Sequence, residues 1–315
     1  MHPNSTIDTV TVVLVTFQSE QVIGSSVSLV DQDPAVKRII VVDNASRDGS
    51  IQAAREASPR VEVMANTENL GFGRGMNVGL EQADTEFSLV LNPDARFPAG
   101  GISQLVRVAH EYPQAAIVGP WWRNSAGRLT SVRSGPIWEQ QEIPYLPDCH
   151  RSINFLPGAA MLLRNEVFHK IGRYFDPNLF MFGEDDELCQ QALDAGHELI
   201  VTTSVEVDHE SGTSSGCNPR IERLRNRHFA WSRLYVEEKY RGRDSALRLA
   251  DNWKRQGWGK CLFYSLTGNR TRLDKQRAHL RGVSDYLAGE QPPVDLKYYD
   301  VPQHLAPAQP QRQVA

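Results

Sequence analysis

The feature that most constrains this chain is a series of short strand patterns that are apolar on both faces and end in a polar residue. Val10 to Thr16, Arg38 to Val42 and Phe87 to Leu91 are such runs, each ending in or followed by a polar residue, and Val61 to Ala65 is a further strand pattern, while the segments through Leu29 and from Ser50 to Ala57 carry helical patterns. A strand like Ile39-Ile40-Val41-Val42 has no side to show to water, so both faces must be covered. Repeated in a β-α-β-α-β rhythm, that requirement predicts an α/β fold with a parallel sheet between helices. Such sheets bind ligands beyond the carboxyl ends of their strands. Thr16, Asp43-Asn44 and Asn92-Pro93-Asp94 all fall there, so three strand ends are expected to share one crevice.

Composition narrows the function classes. The 315 residues are 40% hydrophobic and 23% charged, in the ordinary globular range, and the formal net charge of -4 speaks against a nucleic-acid partner. Four cysteines lie far apart with no Cys-x-x-Cys pair, which suits a reducing cytosol. No run approaches the roughly 20 apolar residues of a membrane span, and Met1 to Asp8 lacks a leader pattern. A cytoplasmic protein is expected, soluble or peripheral on the cytoplasmic face of the inner membrane.

The second half is less regular. Ile117 to Pro120, Gly158 to Leu163 and Leu199 to Val207 read as strands, and Arg220 to Tyr240 as a helix. Residues 241–281 then hold 11 Lys or Arg against three acids, a local balance of +8, with Trp253, Trp258 and Phe263 interleaved. That stretch is either a solvated helical face or a contact for an anionic membrane surface. Residues 291–315, rich in Pro and Gln, read as a poorly ordered extension.

Five segments carry candidate chemistry. Asp43 opens Asp-Asn-Ala-Ser-Arg-Asp-Gly-Ser, where a carboxylate at a strand end can accept from a base or a ribose hydroxyl, and Ser46 or Asp48 can cap the next helix. Asn69 to Gly79 is a glycine-rich helix start that superficially resembles a dinucleotide fingerprint, but it follows the third strand pattern and lacks the acid that should come after it. Its glycines serve either close backbone approach to a nucleotide or helix-on-sheet packing. Asn92-Pro93-Asp94 offers hard oxygen ligands for a divalent cation, or a plain turn. Glu184-Asp185-Asp186-Glu187 follows Leu-Phe-Met-Phe-Gly, an apolar setting in which four acids repel one another unless something binds or protonates them. A helix amino terminus tolerates them there, and one can act as a general base. His209 ends a strand pattern and is either structural or a ligand.

Taken in order, Val12 to Phe17, Val41 to Ser50, Asn69 to Gly79, Leu91 to Asp94, Gly183-Glu184-Asp185 with Leu188, and His209 to Gly212 resemble glycosyltransferase family 2, in its bacterial rhamnosyltransferase-like branch. The resemblance covers roughly Val10 to Tyr240. It implies a GT-A fold over residues 8–240, with a nucleotide-sugar half (8–115) and an acceptor and catalytic half (116–240), followed by a basic helical extension (241–290) and the tail.

The resemblance also implies roles. Thr16 and Asp43 hold the nucleoside, and Phe17, Asn69, Gly71, Arg74, Asn77, Asn92 and Asp94 complete the donor-binding set. Asp94 matches the last acid of the family's Asp-x-Asp element, with Asn92 in place of the first. His209 joins Asp94 on Mn²⁺ or Mg²⁺. Asp185 matches the general base, flanked by Glu184 and Asp186. The expected reaction is an inverting, metal-dependent transfer of a sugar, with rhamnose from dTDP-rhamnose favoured, to a hydroxyl of a bacterial envelope glycan or lipid-linked intermediate. A homodimer through the terminal helices is a further expectation. Two other readings compete: a sugar-nucleotide nucleotidyltransferase, which should show a basic glycine-rich loop where Thr16-Phe17-Gln18-Ser19-Glu20 stands, and a non-catalytic carbohydrate-binding protein, which has no need of Asp94, Glu184, Asp185 and His209 together.

Overall fold

The computed structural model describes residues 10–123, 132–134, 141–145, 148–209, 218–295 and 299, with backbone alone for 132–134, 141 and 209. In chain order the first half is β1 (Val10–Thr16), α1 (Glu20–Asp31), β2 (Val36–Asp43), α2 (Ser50–Ala57), β3 (Val61–Ala65), α3 (Phe72–Leu80), β4 (Phe87–Leu91), β5 (Ala95–Arg96) and α4 (Gly101–Glu111). The second half is β6 (Ala115–Arg123), β7 (Val132–Ser134), β8 (Gln141–Ile143), β9 (His150–Ile153), β10 (Ala160–Arg164), α5 (Asn165–Ile171), α6 (Glu184–Asp194), β11 (Glu198–His209), α7 (Pro219–Arg241), α8 (Arg243–Leu266) and α9 (Arg270–Ala288).

One sheet runs β3-β2-β1-β4-β10-β6-β11-β5, with β9 also paired to β11. The expected parallel half is present: β1 pairs in parallel with both β2 and β4, and β2 with β3. Every residue of β1 and β4 is buried, as strands covered on both faces require. The second half departs from that pattern. β10 enters antiparallel between β4 and β6, so the sheet is mixed. The apolar runs could not reveal this, because a doubly covered strand looks the same in either direction.

The last three helices share a smaller core of their own. Trp231, Leu234 and Val236 of α7 meet Ala246 and Ala250 of α8, Val283 and Tyr286 of α9, and Leu179 from the loop before α6. Tyr299 is buried with Phe180 and Leu224, its hydroxyl donates to the Pro293 carbonyl at 2.6 Å, and Arg223 Nε donates to its carbonyl at 2.8 Å. A buried tyrosine with both polar groups satisfied anchors a segment whose composition alone reads as loose.

Candidate active site

The loops after β1 and β2 are stitched together. Gln18 N donates to Ser46 Oγ, Ser19 N to Ser50 Oγ and Glu20 N to Asp48 Oδ2, at 2.9, 2.8 and 3.2 Å. Asp48 thus holds both helix starts, since its Oδ1 also accepts from Ser50 N at 3.1 Å. Gln18 and Ala45 take left-handed φ of 54° and 60°, conformations that cluster at ligand sites. Beneath these loops Thr16 and Asp43 are register partners. Thr16 Oγ1 and Asp43 Oδ1 are buried without a hydrogen-bond partner, a costly state that a ligand hydroxyl or amide would relieve. Asp43 Oδ2 accepts from Ser46 N at 2.9 Å.

The glycine-rich segment divides in two. Gly71 has φ +83°, and a Cβ there would lie 2.0 Å from the Phe180 carbonyl oxygen, so only glycine fits. Asn69 Oδ1 accepts from Gly71 N at 2.9 Å, Asn44 Nδ2 donates to Gly71 O at 2.8 Å, and Phe72 N donates to Phe180 O at 3.0 Å. Gly75 and Gly79 do the other job, helix-on-sheet packing: a Cβ at Gly79 would sit 2.5 Å from Val13 Cγ1. Arg74 and Asn77 do not line the crevice. The Asn77 amide is engaged with Phe175, donating to its carbonyl and accepting from its amide, both at 2.9 Å. It clamps the loop that leads to α6.

The crevice itself has a volume of about 390 Å³ and is lined by Phe17, Asn44, Asn69, Gly71, Asn92, Asp94, Gly158, Phe182, Glu184, Asp185 and Arg225, among others. A neighbouring cavity of about 770 Å³ shares Phe17, Asn44 and Asn69 with it. Asp94, 6% exposed, follows the buried β4. The backbone of His209 pairs with Ala95, the next residue, so β11 ends beside Asp94; the His209 side chain lies outside the described residues.

The acidic quartet points two ways. Phe182 and Gly183 both take left-handed φ, 67° and 78°, and turn the chain so that α6 starts at the crevice. Glu184 and Asp185 line it. Asp185 Oδ2 accepts from Gly158 N at 3.3 Å, and its Oδ1 from Asp186 N at 3.0 Å. Burial raises the Asp185 pKa, and those amides pull against the rise. Burial, with the Asp185 charge second, raises the Glu184 pKa. Asp186 and Glu187 face α7. The Asp186 charge acts on the buried Arg233 guanidinium. Glu187 is fully buried and accepts from Arg173, from Lys239 Nζ at 2.7 Å and from the Tyr240 hydroxyl at 3.1 Å. Lys239 also donates to Asp176 at 2.6 Å, completing a network that bolts α6 to α7. Phe180 packs on His228 with ring centroids 4.6 Å apart. Of Phe180 and Phe182, only Phe182 lines the crevice.

Residues 11–172 match the profile of Glycosyl transferase family 2, just over half of the chain. The chain belongs to that family. It is 27% identical over 261 residues to the N-acetylglucosaminyl-diphospho-decaprenol L-rhamnosyltransferase of Mycobacterium tuberculosis, covering 69% of this chain and 83% of the relative. Among solved structures, the mannosyltransferase PcManGT from Pyrobaculum calidifontis, in complex with GDP-Man and Mn²⁺, aligns with a TM-score of 0.56 at 13% identity over 91% of both chains. GalNAc-T7 with UDP, GalNAc and Mn²⁺ aligns with a TM-score of 0.55 at 15% identity, covering 73% of this chain and 48% of that one. The fold is GT-A, and the enzyme is a glycosyltransferase of the α/β class expected from the strand pattern.

In this glycosyltransferase the sequence reading missed one wall of the crevice. α7 contributes Ile221, Leu224 and Arg225, and Arg220 lines the neighbouring cavity. The Arg225 guanidinium lies 5.9 Å from the centroid of the Phe182 ring and 3.8 Å from Glu222. The spacing of Ile221, Leu224 and Arg225 at i, i+3 and i+4 was the available signal. Among the described residues no three His, Cys, Asp or Glu side chains cluster as a metal cage. The donor set nonetheless fits a divalent cation: a buried carboxylate and an amide share the crevice wall, and such ions bound to a diphosphate need few ligands from protein.

Proposed function

We propose that this glycosyltransferase inverts configuration, moving L-rhamnose from dTDP-rhamnose to a hydroxyl of a lipid-diphosphate-linked saccharide of the bacterial envelope. The observation that carries the proposal is the division of the acidic quartet. One carboxylate with a raised pKa, Asp185, lines the same crevice as Asp94, while Asp186 and Glu187 are committed to α7. The choice of rhamnose and of a lipid-linked acceptor rests on the name of the Mycobacterium tuberculosis relative.

In this reading Thr16 and Asp43 meet the nucleoside with their unpartnered oxygens, and Arg225 faces the diphosphate. Asp185 takes the proton of the acceptor hydroxyl as its oxygen bonds to the anomeric carbon. The bond from that carbon to the diphosphate oxygen breaks on the opposite side, and the nucleoside diphosphate leaves. Glu184, whose pKa burial raises, resists carrying a second negative charge beside the acceptor. Asp94, with Asn92 and His209, would hold Mn²⁺ or Mg²⁺, which offsets charge on the departing diphosphate when bound. The residue ranges 8–240, 241–290 and 291–315 are the proposed division of the chain.

The test is transfer with dTDP-rhamnose, UDP-GlcNAc and GDP-mannose, each with Mn²⁺, onto a short-chain prenyl diphosphate-GlcNAc acceptor. Rhamnosyl product with inverted anomeric configuration by NMR is expected. Retained configuration would overturn the mechanism, and preference for another donor would overturn the sugar assignment.

A further inference from the structure

The α8–α9 hairpin carries features that sugar transfer leaves unused. The two helices touch at Gly257, where a Cβ would lie 2.5 Å from Leu280 Cδ2. Beyond that contact α8 presents Trp258, Leu262 and Leu266 at four-residue intervals, with Phe263 beside them, at 69%, 64%, 79% and 60% exposure. Single exposed apolar side chains are ordinary, but four large ones on one helix face mark an interaction surface. Trp253, grouped with them on sequence grounds, belongs elsewhere. It is half-buried on the opposite face of α8, with its ring centroid 4.7 Å from that of His279.

The charge around this face is lopsided. Residues 254–281 hold eight Lys or Arg and one acid, a balance of 8 - 1 = +7 in a chain of net -4, so the remainder carries -4 - 7 = -11. Seven of those eight cations are exposed. Arg277 and Arg281 flank a groove of about 550 Å³ that also includes Trp258, Leu262 and Leu273. A second copy of the chain is a poor occupant, because a twofold contact through this face would set one +7 patch against another. An anionic bilayer meets both properties, taking apolar side chains into its interface while its phosphates meet the cations.

We propose that the tip of the α8–α9 hairpin docks on anionic phospholipid membranes, with Trp258, Leu262, Phe263 and Leu266 entering the interface. The proposal goes beyond the transfer reaction and is independent of the sugar moved. Flotation of the full chain with phosphatidylcholine vesicles, with and without phosphatidylglycerol, tests it. Binding should require phosphatidylglycerol and fall as salt rises. The combined change Trp258→Ser, Leu262→Ser, Phe263→Ser and Leu266→Ser should abolish flotation. Neutralising Arg270, Arg277 and Arg281 to Gln should weaken binding by roughly fivefold per cation. Thermal unfolding and dTDP titration on the same variants should match wild type, which separates loss of docking from loss of the fold or of the donor site. Equal flotation of the serine variant, or equal binding to vesicles without phosphatidylglycerol, would overturn the proposal. So would a wild-type dimer that the serine variant converts to monomer without any vesicle binding, since the face would then be a subunit interface.

Discussion

The Gly158 amide donates to Asp185 Oδ2 at 3.3 Å, and a Cβ built on Gly158 would lie 3.3 Å from Asp185 Cβ. The loop before β10 therefore sets both the hydrogen bonding and the position of the proposed base. Asp185→Asn should lower the transfer rate by about 10²- to 10⁴-fold with little change in donor affinity. Asp186→Asn should retain most of the rate and lose stability instead, since its partner is on α7. Transfer kinetics, nucleotide titration and urea unfolding on both variants check this. A collapse of rate in Asp186→Asn alone would move the base by one residue.

Gly71→Ala tests the junction of donor loop and α6. The added Cβ meets the Phe180 carbonyl oxygen at 2.0 Å in a backbone conformation that disfavours L side chains. Strain of about 1–3 kcal/mol is expected from the conformation alone, and the clash adds to it. Gly100→Ala is the control, because Gly100 has a similar φ of +71° and open space around it. Its loss of stability should be smaller, and comparison of urea midpoints decides.

Asp94→Ala should weaken Mn²⁺-dependent binding of dTDP while leaving the unfolding midpoint without ligand close to wild type. His209→Ala should do the same if its side chain joins Asp94. Isothermal titration with and without EDTA reads this directly. Affinity that ignores the metal in wild type and both variants would remove the cation from the mechanism.

Glu184 gives the stability a pH signature. Burial raises its folded pKa above its ordinary 4.5, so the folded state holds a proton that the unfolded state releases. Its contribution is fully present below about pH 4.5 and is lost as pH rises through the raised folded value. Glu184→Gln keeps the neutral form at every pH. Its melting temperature should therefore gain on wild type across that window, and parallel curves from pH 5 to pH 9 would contradict the assignment.

Lys239→Met removes the cation shared by Asp176 and Glu187, both almost fully buried. Leaving buried carboxylates short of a partner costs on the order of 3–5 kcal/mol. Arg173, which also pairs with both acids, reduces that cost. Chemical denaturation should show a clear loss, with the α6–α7 junction exchanging amide hydrogens fastest.

The parallel half of the sheet and its polar strand ends were legible in the sequence, because a strand apolar on both faces has one environment open to it. Thr16, Asp43 and Asp94 fall at or just beyond strand ends for that reason, and of the three only Asp94 is among the residues lining the crevice. The sequence also marked Glu184 to Glu187 as unusual, since four acids beside aromatic residues need a cause. Which of them face the crevice was decided only by tertiary structure. The turn at Phe182-Gly183 and the cations of α7 sort the four, and neither the turn's handedness nor a contact across some 50 residues is written in local pattern. The antiparallel entry of β10, the separate duties of Gly71 and Gly79, and the burial of Tyr299 were likewise set by long-range packing. Arg225 reached the crevice the same way, carried there by the docking of a helix whose own sequence records only its amphipathic face.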